Sequence, residues 1–467
     1  MNRNKKLLKN IIALMFGSVM TKGINFIMAP LFIRWLSPTE YGTFDLLCTY
    51  VTLLIPIFAF GTHHAVFRFL LDARTEDIKE SIVTNTLFLN VIGFFMYSAC
   101  IIFIYIIKPT MQNYAINLSI LLFTQLLQNY MGMYIRGIKR LKLYSLINVL
   151  CTTFILIFVT LFVRFFFKGL NGIILGYSVG YFLSMLIGAI KCQICKYIKF
   201  TRISFKEQKK ILHYSIPMIP NSIAWWVVNI SDRMIVALTL GMTANAILAI
   251  SHKIPNLCTT IYDIFQTAWL ENAAESIKDL DWKEYFEKSL NIMSKFCISV
   301  SIMIITSNFF LYDFLFTKNY YKGKFLVPIF AVAVIFASLS QMLGSVFIAE
   351  YDSKIQGVSM LEAGIVNIIF DIFLIKYVGI YAPAVSTLVA YVYLFFIRLK
   401  KINMKYNIHF DKKNIILSSL TVIYIILAYL NISIVNYISF ITSIFIVVLF
   451  NKEILQGIIK KLKVWFI

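Results

Sequence analysis

Ionisable side chains inside long apolar runs are the residues whose types and places point to chemistry. Lys22 stands in the run 7–33, and Asp232 and Arg233 in 213–239. Lys253 and Asp263 stand in 244–268, and Glu362 and Asp371 in 355–378. On insertion scales a charge at the centre of a membrane helix costs about 2.5–3.5 kcal/mol. Such residues therefore face protein or water and are functional candidates. The cations suit a phosphorylated group held at depth, since lysine supplies a point charge and arginine a planar fork for phosphate oxygens. Trp225 and Trp226 offer apolar area with an N–H handle, the chemistry of a sugar platform. Asp232, Asp263 and Glu362 are the acids that ion coupling would use.

Helical spacing shows how these groups are presented. Ser18, Lys22, Asn25 and Ala29 recur at i, i+4, i+7 and i+11, which is one helix face. Ser222, Trp226, Asn229 and Arg233 repeat the spacing, as do His252, Asn256, Thr259 and Asp263. Asp45, Thr49, Thr52 and Pro56 complete the pattern. Four otherwise apolar segments thus carry polar stripes. Structural readings stand beside the functional ones. Asp232 can neutralise Arg233 or Lys253 in an ion pair, and the Trp pair can be packing or an interfacial anchor. His63-His64 reads as a solvated helix end. Glu362 and Asp371, nine residues apart, fall on opposite faces. Pro56, Pro217, Pro220, Pro255 and Pro328 read as kinks within spans.

The elements that must position these groups follow from composition. Of 467 residues 60% are hydrophobic and only 14% charged, against about 25% charged in an ordinary soluble domain. Mean hydropathy is +0.79. A soluble enzyme, a disordered chain and a disulfide scaffold are excluded, and an all-α polytopic membrane protein is expected. Runs of roughly 20 apolar residues fall at 8–33, 43–67, 82–107, 113–135, 144–167, 169–191, 213–239, 244–268, 286–312, 325–349, 355–378, 379–399, 414–430 and 433–450. That makes about fourteen transmembrane helices. The first, behind Arg3, Lys5, Lys6 and Lys9, is too long for a signal peptide and reads as an uncleaved span.

The formal net charge of +22 would suggest nucleic acid in a soluble protein. Here the bases sit in short loops, so they set topology. With the N-terminus inside, 32 of the 44 basic residues fall on the cytoplasmic side and 8 outside; Lys22, Arg233, Lys253 and Lys295 lie within spans. Both termini are expected in the cytoplasm. No loop is large enough for a catalytic domain, so no enzyme activity, cofactor or metal is expected. Residues 271–287 are mixed in charge and suit a surface helix. The seven cysteines give no disulfide framework, and Cys192 and Cys195 lack a second pair for a metal.

A faint internal repeat relates residues 36–44 to 240–248, offset by 204. It suggests two pseudo-symmetric six-helix lobes in parallel repeat. The expected organisation is an N-terminal lobe at 1–191, a cytoplasmic linker at 192–212 and a C-terminal lobe at 213–400. Two extra helices follow at 401–451, without a charge between Asn414 and Phe450, and then an amphipathic basic tail at 452–467.

Several stretches make the chain resemble a known family. They are Arg34-Trp35-Leu36-Ser37-Pro38-Thr39-Glu40-Tyr41-Gly42-Thr43-Phe44 and the stretch 61–69. A third is Tyr214-Ser215-Ile216-Pro217-Met218-Ile219-Pro220-Asn221-Ser222, continuing through Trp225-Trp226 to Ser231-Asp232-Arg233. A fourth is Lys253-Ile254-Pro255 with Gln266-Thr267-Ala268-Trp269. On these the sequence resembles the Wzx-type flippases of bacterial O-antigen and capsule repeat units, in the polysaccharide-biosynthesis branch of the multidrug/oligosaccharidyl-lipid/polysaccharide (MOP, MATE-like) exporters. The likeness covers about residues 7 to 400, and the stretch at 214–233 is its most specific part.

The resemblance implies two six-helix lobes plus two helices. It also implies alternating-access transfer of an undecaprenyl-pyrophosphate-linked oligosaccharide, of O-antigen (lipopolysaccharide) or capsule type, across the bacterial cytoplasmic membrane. A cationic cavity is characteristic of the group. Lys22, Arg233 and Lys253 suit it here, with Asn25, Asn229 and Trp226 beside them. The partners it implies are the lipid-linked substrate and membrane lipids, with a polysaccharide polymerase and chain-length regulator in the same pathway. Three rivals are weighed. A cation-coupled drug antiporter of the same superfamily wants unpaired acids rather than Lys22 and Lys253. A membrane polysaccharide polymerase or acyltransferase wants a large external loop with Arg or His clusters, whereas the largest external segment, 312–325, carries only Lys318, Lys322 and Lys324. A non-transporting scaffold of the glycan assembly complex is favoured if variants with a neutral residue at Lys22 still move substrate.

Overall fold

Backbone polar groups have no partner in hydrocarbon except one another, so an apolar chain of this kind folds as helices. The computed structural model describes residues 3–107, 112–167, 169–277, 279–350, 352–452 and 456, and among them there is no strand. In chain order the helices are α1 (Arg3–Trp35), α2 (Pro38–Phe58), α3 (Thr62–Asp72), α4 (Glu76–Ile107), α5 (Gln112–Gly137) and α6 (Leu141–Leu161). Next come α7 (Leu170–Cys192), α8 (Phe205–Ser215), α9 (Met218–Thr239), α10 (Met242–Ser251), α11 (Pro255–Ser276) and α12 (Trp282–Leu315). The last are α13 (Val327–Ala349), α14 (Ser353–Val378), α15 (Ala382–Tyr406), α16 (Lys412–Leu430) and α17 (Ser433–Phe450).

The fourteen expected spans lie in helical stretches, but three are broken: 43–67 between α2 and α3, 213–239 at the turn between α8 and α9, and 244–268 between α10 and α11. By length and composition, ten stretches among the described residues suffice to cross a membrane, one of which, 354–406, holds both α14 and α15. The remaining three spans correspond to α5, α9 and the α10–α11 pair. The expected basic tail lies almost wholly outside the described residues. No surface helix forms across 271–287: α11 runs on to Ser276 and α12 begins at Trp282.

The chain divides into two compact units, 1–234 and 235–467. The division falls inside α9, and the stretch expected as a linker lies within the first unit. There it is strapped to the start of α4. Asn85, fully buried, donates to the carbonyls of Ser81 at 2.8 Å and Arg202 at 2.9 Å. Its Oδ1 accepts from the Ser204 amide at 3.0 Å. Thr84 donates to the Tyr197 carbonyl and accepts from the Lys199 amide, and Arg202 pairs with Asp77 and Glu80. The Glu76 carboxylate beside Tyr197 holds that phenol above its ordinary value. The core at this end is Val66, Leu70, Val83, Tyr130, Tyr134 and Ile135, and Ile211 of α8 packs with Ala65 and Leu89.

Both turns of the faint repeat launch a helix. Ser37 caps α2, and Glu40 closes a capping box on it. Gly241, at φ 89°, precedes α10. The two helices then diverge. α2 runs 21 residues and the chain breaks at Phe60 and Gly61, at φ 51° and 63°. A Cβ on Gly61 would lie 2.7 Å from the Ser215 carbonyl oxygen, so the break needs glycine for both conformation and space. His63 and His64 are consequently half-buried in the first turn of α3 and do not form a solvated helix end. α10 stops after 10 residues, and Pro255 opens α11. Of the five prolines expected as kinks, Pro56 alone lies inside a helix; Pro217 is in the turn ahead of α9, and Pro220, Pro255 and Pro328 occupy first turns, where the missing N–H has no intrahelical partner to lose.

The second unit has an aromatic core at the α11–α12 turn. Phe265 stacks on Trp269 with ring centroids 6.1 Å apart, and Trp269 on Trp282 at 6.2 Å. Arg398 of α15 is also buried. It donates to the Ser340 carbonyl at 2.7 Å, Ser359 Oγ at 3.1 Å and the Gln356 carbonyl at 3.2 Å. The pair α16–α17, without a charge after Lys413, is tied to α12 by small polar bonds: Ser443 Oγ with Thr306 Oγ1 at 2.9 Å, and Asn451 Nδ2 to Ser299 Oγ at 2.7 Å. The rest of its surface is apolar and exposed, for example Ile416, Ile423, Ile438 and Phe445.

Candidate functional site

Residues 226 and 233 are seven apart on α9, and 45 and 49 are four apart on α2. Each pair shares one helix face, and the structure joins the two faces. Arg233 Nη1 lies 2.7 Å from Asp45 Oδ1, with side-chain exposures of 26% and 12%. Trp226 Nε1 donates to the Thr49 carbonyl at 3.0 Å. The Thr49 hydroxyl donates back to the Asp45 carbonyl at 3.0 Å. α9 is therefore fastened to α2 at two points, two turns apart.

This assigns roles that sequence order left open. The acid at 2.7 Å from Arg233 comes from α2; its sequence neighbour Asp232 is itself buried. Neighbours in sequence point about 100° apart on a helix, so contiguity is a poor guide to pairing. Trp226 is 7% exposed and its N–H is bonded to backbone, so its flat face is a packing surface. Trp225 is 56% exposed and is the indole that can meet a ligand.

Lys22 is half-buried on α1, and Asn25 is exposed one turn further on. Asn229 is exposed and donates to the Trp225 carbonyl at 2.8 Å. In the second unit Lys253 is half-buried in the turn between α10 and α11, next to His252, whose ring lies 3.9 Å from that of Phe330. Asp263 is exposed on α11. Glu362 is half-buried on α14 and accepts from the Tyr393 hydroxyl at 3.4 Å; Asp371, on the opposite face, is fully buried. Lys295 pairs with Asp411 at 3.0 Å. Among the described residues no group of three His, Cys, Asp or Glu is placed to hold a metal, and all seven cysteines are free thiols.

Three charged residues with defined settings were absent from the candidate set. Asp45 appeared only as a stripe member, although an acid in an apolar run was signal enough. Arg398, the last residue but one of the run 379–399, counted among the basic residues of the cytoplasmic side; α15 continues to Tyr406 and buries it. Lys324, expected in an external loop, is 2% exposed; its ammonium lies 3.1 Å from Asp313 and 4.5 Å from the Phe309 ring centroid.

The family model described as "Polysaccharide biosynthesis protein" matches residues 7–270. No curated protein matches the chain in sequence. Among solved structures, the lipid II flippase MurJ in an inward closed conformation is similar with TM-score 0.69 at 14% identity, covering 97% of this chain and 100% of that one. An inward-facing multidrug resistance MATE family transporter of the MOP superfamily is similar with TM-score 0.65 at 14% identity, covering 84% and 98%. A eukaryotic MATE transporter gives 0.59 at 11% identity, covering 89% and 98%. At these identities the likeness establishes the fold.

Proposed function

Because the chain belongs to the polysaccharide biosynthesis protein family, we propose that it is a flippase. Its substrate is an undecaprenyl-pyrophosphate-linked oligosaccharide repeat unit of O-antigen or capsule type, moved from the inner to the outer leaflet of the bacterial cytoplasmic membrane. The observation that carries this reading is Arg233, a half-buried guanidinium in an otherwise apolar run, paired with the Asp45 carboxylate. A pyrophosphate presents the same planar oxygen pairs to a guanidinium fork as that carboxylate does. Substrate entry exchanges Asp45 for phosphate oxygens, and substrate release restores the pair. Lys22 and Lys253 supply further charge along the route, Asn25 and Asn229 bond sugar hydroxyls, and Trp225 stacks on a sugar face.

Alternating access moves the headgroup while the polyprenyl tail stays in lipid. Asp232, Asp263 and Glu362 are the candidates for ion coupling. The excess of basic residues in one set of loops supports both termini in the cytoplasm. A polymerase and chain-length regulator would act on the product.

The test is transfer of a labelled lipid-linked repeat unit in proteoliposomes. Lys22→Ala and Arg233→Ala are each expected to slow transfer at least tenfold, about 1.4 kcal/mol. Wild-type rates in both variants would remove the cationic site. MATE-like architecture keeps one second reading in view, a cation-coupled antiporter. That reading predicts proton- or sodium-driven efflux of organic cations by the same proteoliposomes and no transfer of the lipid-linked sugar.

A further inference from the structure

α12 has 34 residues, about 51 Å at 1.5 Å per residue, against roughly 30 Å of hydrocarbon. Its first turns therefore stand in the headgroup region. There the helix carries Glu284, Lys288, Asn291 and Lys295 at i, i+4, i+7 and i+11, on one face. Lys283 and Glu287 flank them. Together with Asp411, just ahead of α16, they line an open cleft of about 450 Å³.

The cleft has a rigid floor. Asn291 is buried; it donates to the His409 carbonyl at 3.0 Å and accepts from the Asp411 amide at 2.8 Å and Asn414 Nδ2 at 2.5 Å. Lys295 is 15% exposed and bonded to Asp411 at 3.0 Å. The remaining charges form the rim: Lys283, Glu284 and Lys288 are exposed and Glu287 is half-buried. The lining is three lysines against three carboxylates, so it is neutral overall and gives a simple anion no field to follow. Its signs alternate about one helical turn apart. Beyond it, α16 continues with exposed Ile415, Ile416, Val422, Ile423 and Ile426, an apolar track pointing from headgroup level into lipid.

We propose that this cleft binds the headgroup of a zwitterionic, primary-amine phospholipid of the phosphatidylethanolamine type. The rim lysines take the phosphodiester, and Glu284 and Glu287 take the ammonium, which has three N–H donors to offer carboxylates. The acyl chains lie along α16. A quaternary headgroup cannot make those bonds, and an anionic one leaves the glutamates opposed. A bound lipid then staples α12 to the 407–411 loop, and so holds α16–α17 to the bundle. The proposal is independent of the transported substrate.

Native mass spectrometry of the full-length protein, with defined lipids added, tests it. Wild type is expected to retain phosphatidylethanolamine about tenfold over phosphatidylcholine and phosphatidylglycerol. Lys283→Gln/Lys288→Gln should lose that retention. Glu284→Gln/Glu287→Gln should lose the preference and gain phosphatidylglycerol, because its cleft becomes cationic. All four side chains are at the rim, so an unchanged unfolding midpoint verifies the fold of both variants. Equal retention of the amine and choline lipids, or retention unaffected by either pair, would overturn the proposal. So would soluble glycerophosphoethanolamine binding as tightly as the lipid, which would assign the cleft to a free headgroup. Protection of Lys288 from an amine-reactive reagent in lipid-free protein would assign it to this chain's own tail.

Discussion

Arg233 on α9 and Asp45 on α2 are 188 residues apart in sequence and 2.7 Å apart in space. The pair joins helices that sequence order does not place side by side, and each member is the other's compensation in a largely dry setting. Removing one partner of a buried pair costs about 3–5 kcal/mol, and of an exposed one about 0–1. The partial exposure here places Asp45→Asn between them, at about 1–3 kcal/mol. The unfolding midpoint in detergent should fall, and the double variant Asp45→Arg/Arg233→Asp should regain part of it. A midpoint that ignores Asp45→Asn would show that the pair holds nothing together.

The two tryptophans should separate cleanly. Trp226→Phe loses the bond to the Thr49 carbonyl, about 1 kcal/mol, and Trp226→Ala about 3–5 kcal/mol. Trp225→Ala should leave the unfolding midpoint nearly unchanged and slow sugar-lipid transfer. The reverse pattern would exchange their roles.

Arg398 and Gly344 form a second coupled pair. A Cβ on Gly344 would lie 2.6 Å from Arg398 Nη1, and that nitrogen is pinned on the Ser340 carbonyl. Gly344→Ala should therefore cost about 1–3 kcal/mol by breaking a charged hydrogen bond. In an Arg398→Met background the same substitution should cost much less. A double-mutant cycle measures the difference, and additive effects would refute the coupling.

Asn85 is the buckle of the 197–208 strap. Asn85→Leu leaves the Ser204 amide and the Arg202 carbonyl without that partner, at about 1–3 kcal/mol each if they stay buried. Trypsin should then cut faster at Lys199 and Arg202 than in wild type, with cutting at Lys412 and Lys413 unchanged. Equal cutting at all four would mean that Asn85 does not hold the strap.

At Gly61 the backbone is left-handed and the Ser215 carbonyl is in the way. Gly61→Ala should lower the unfolding midpoint by more than the roughly 1 kcal/mol of the conformational term alone. The control is Gly357→Ala on α14, where a Cβ meets nothing within 4 Å.

The sequence by itself determined the solvent, the element type and the span register. Apolar runs of membrane length leave helix as the way to satisfy the backbone, so the expected spans lie in helical stretches, three of them broken by turns. The family was legible too, in the contiguous stretch through Trp225-Trp226 and Asp232-Arg233. Tertiary structure decided who meets whom. Hydropathy records how apolar a segment is and not which face meets which neighbour. The acid beside Arg233 is therefore Asp45 from a distant helix, Trp226 is a fastener while Trp225 is open, and Arg398 is buried though it sits at the end of its apolar run. Helix breaks were also hidden, because Gly61 and Pro255 are read correctly only when the carbonyl above them and the helix that follows are in place.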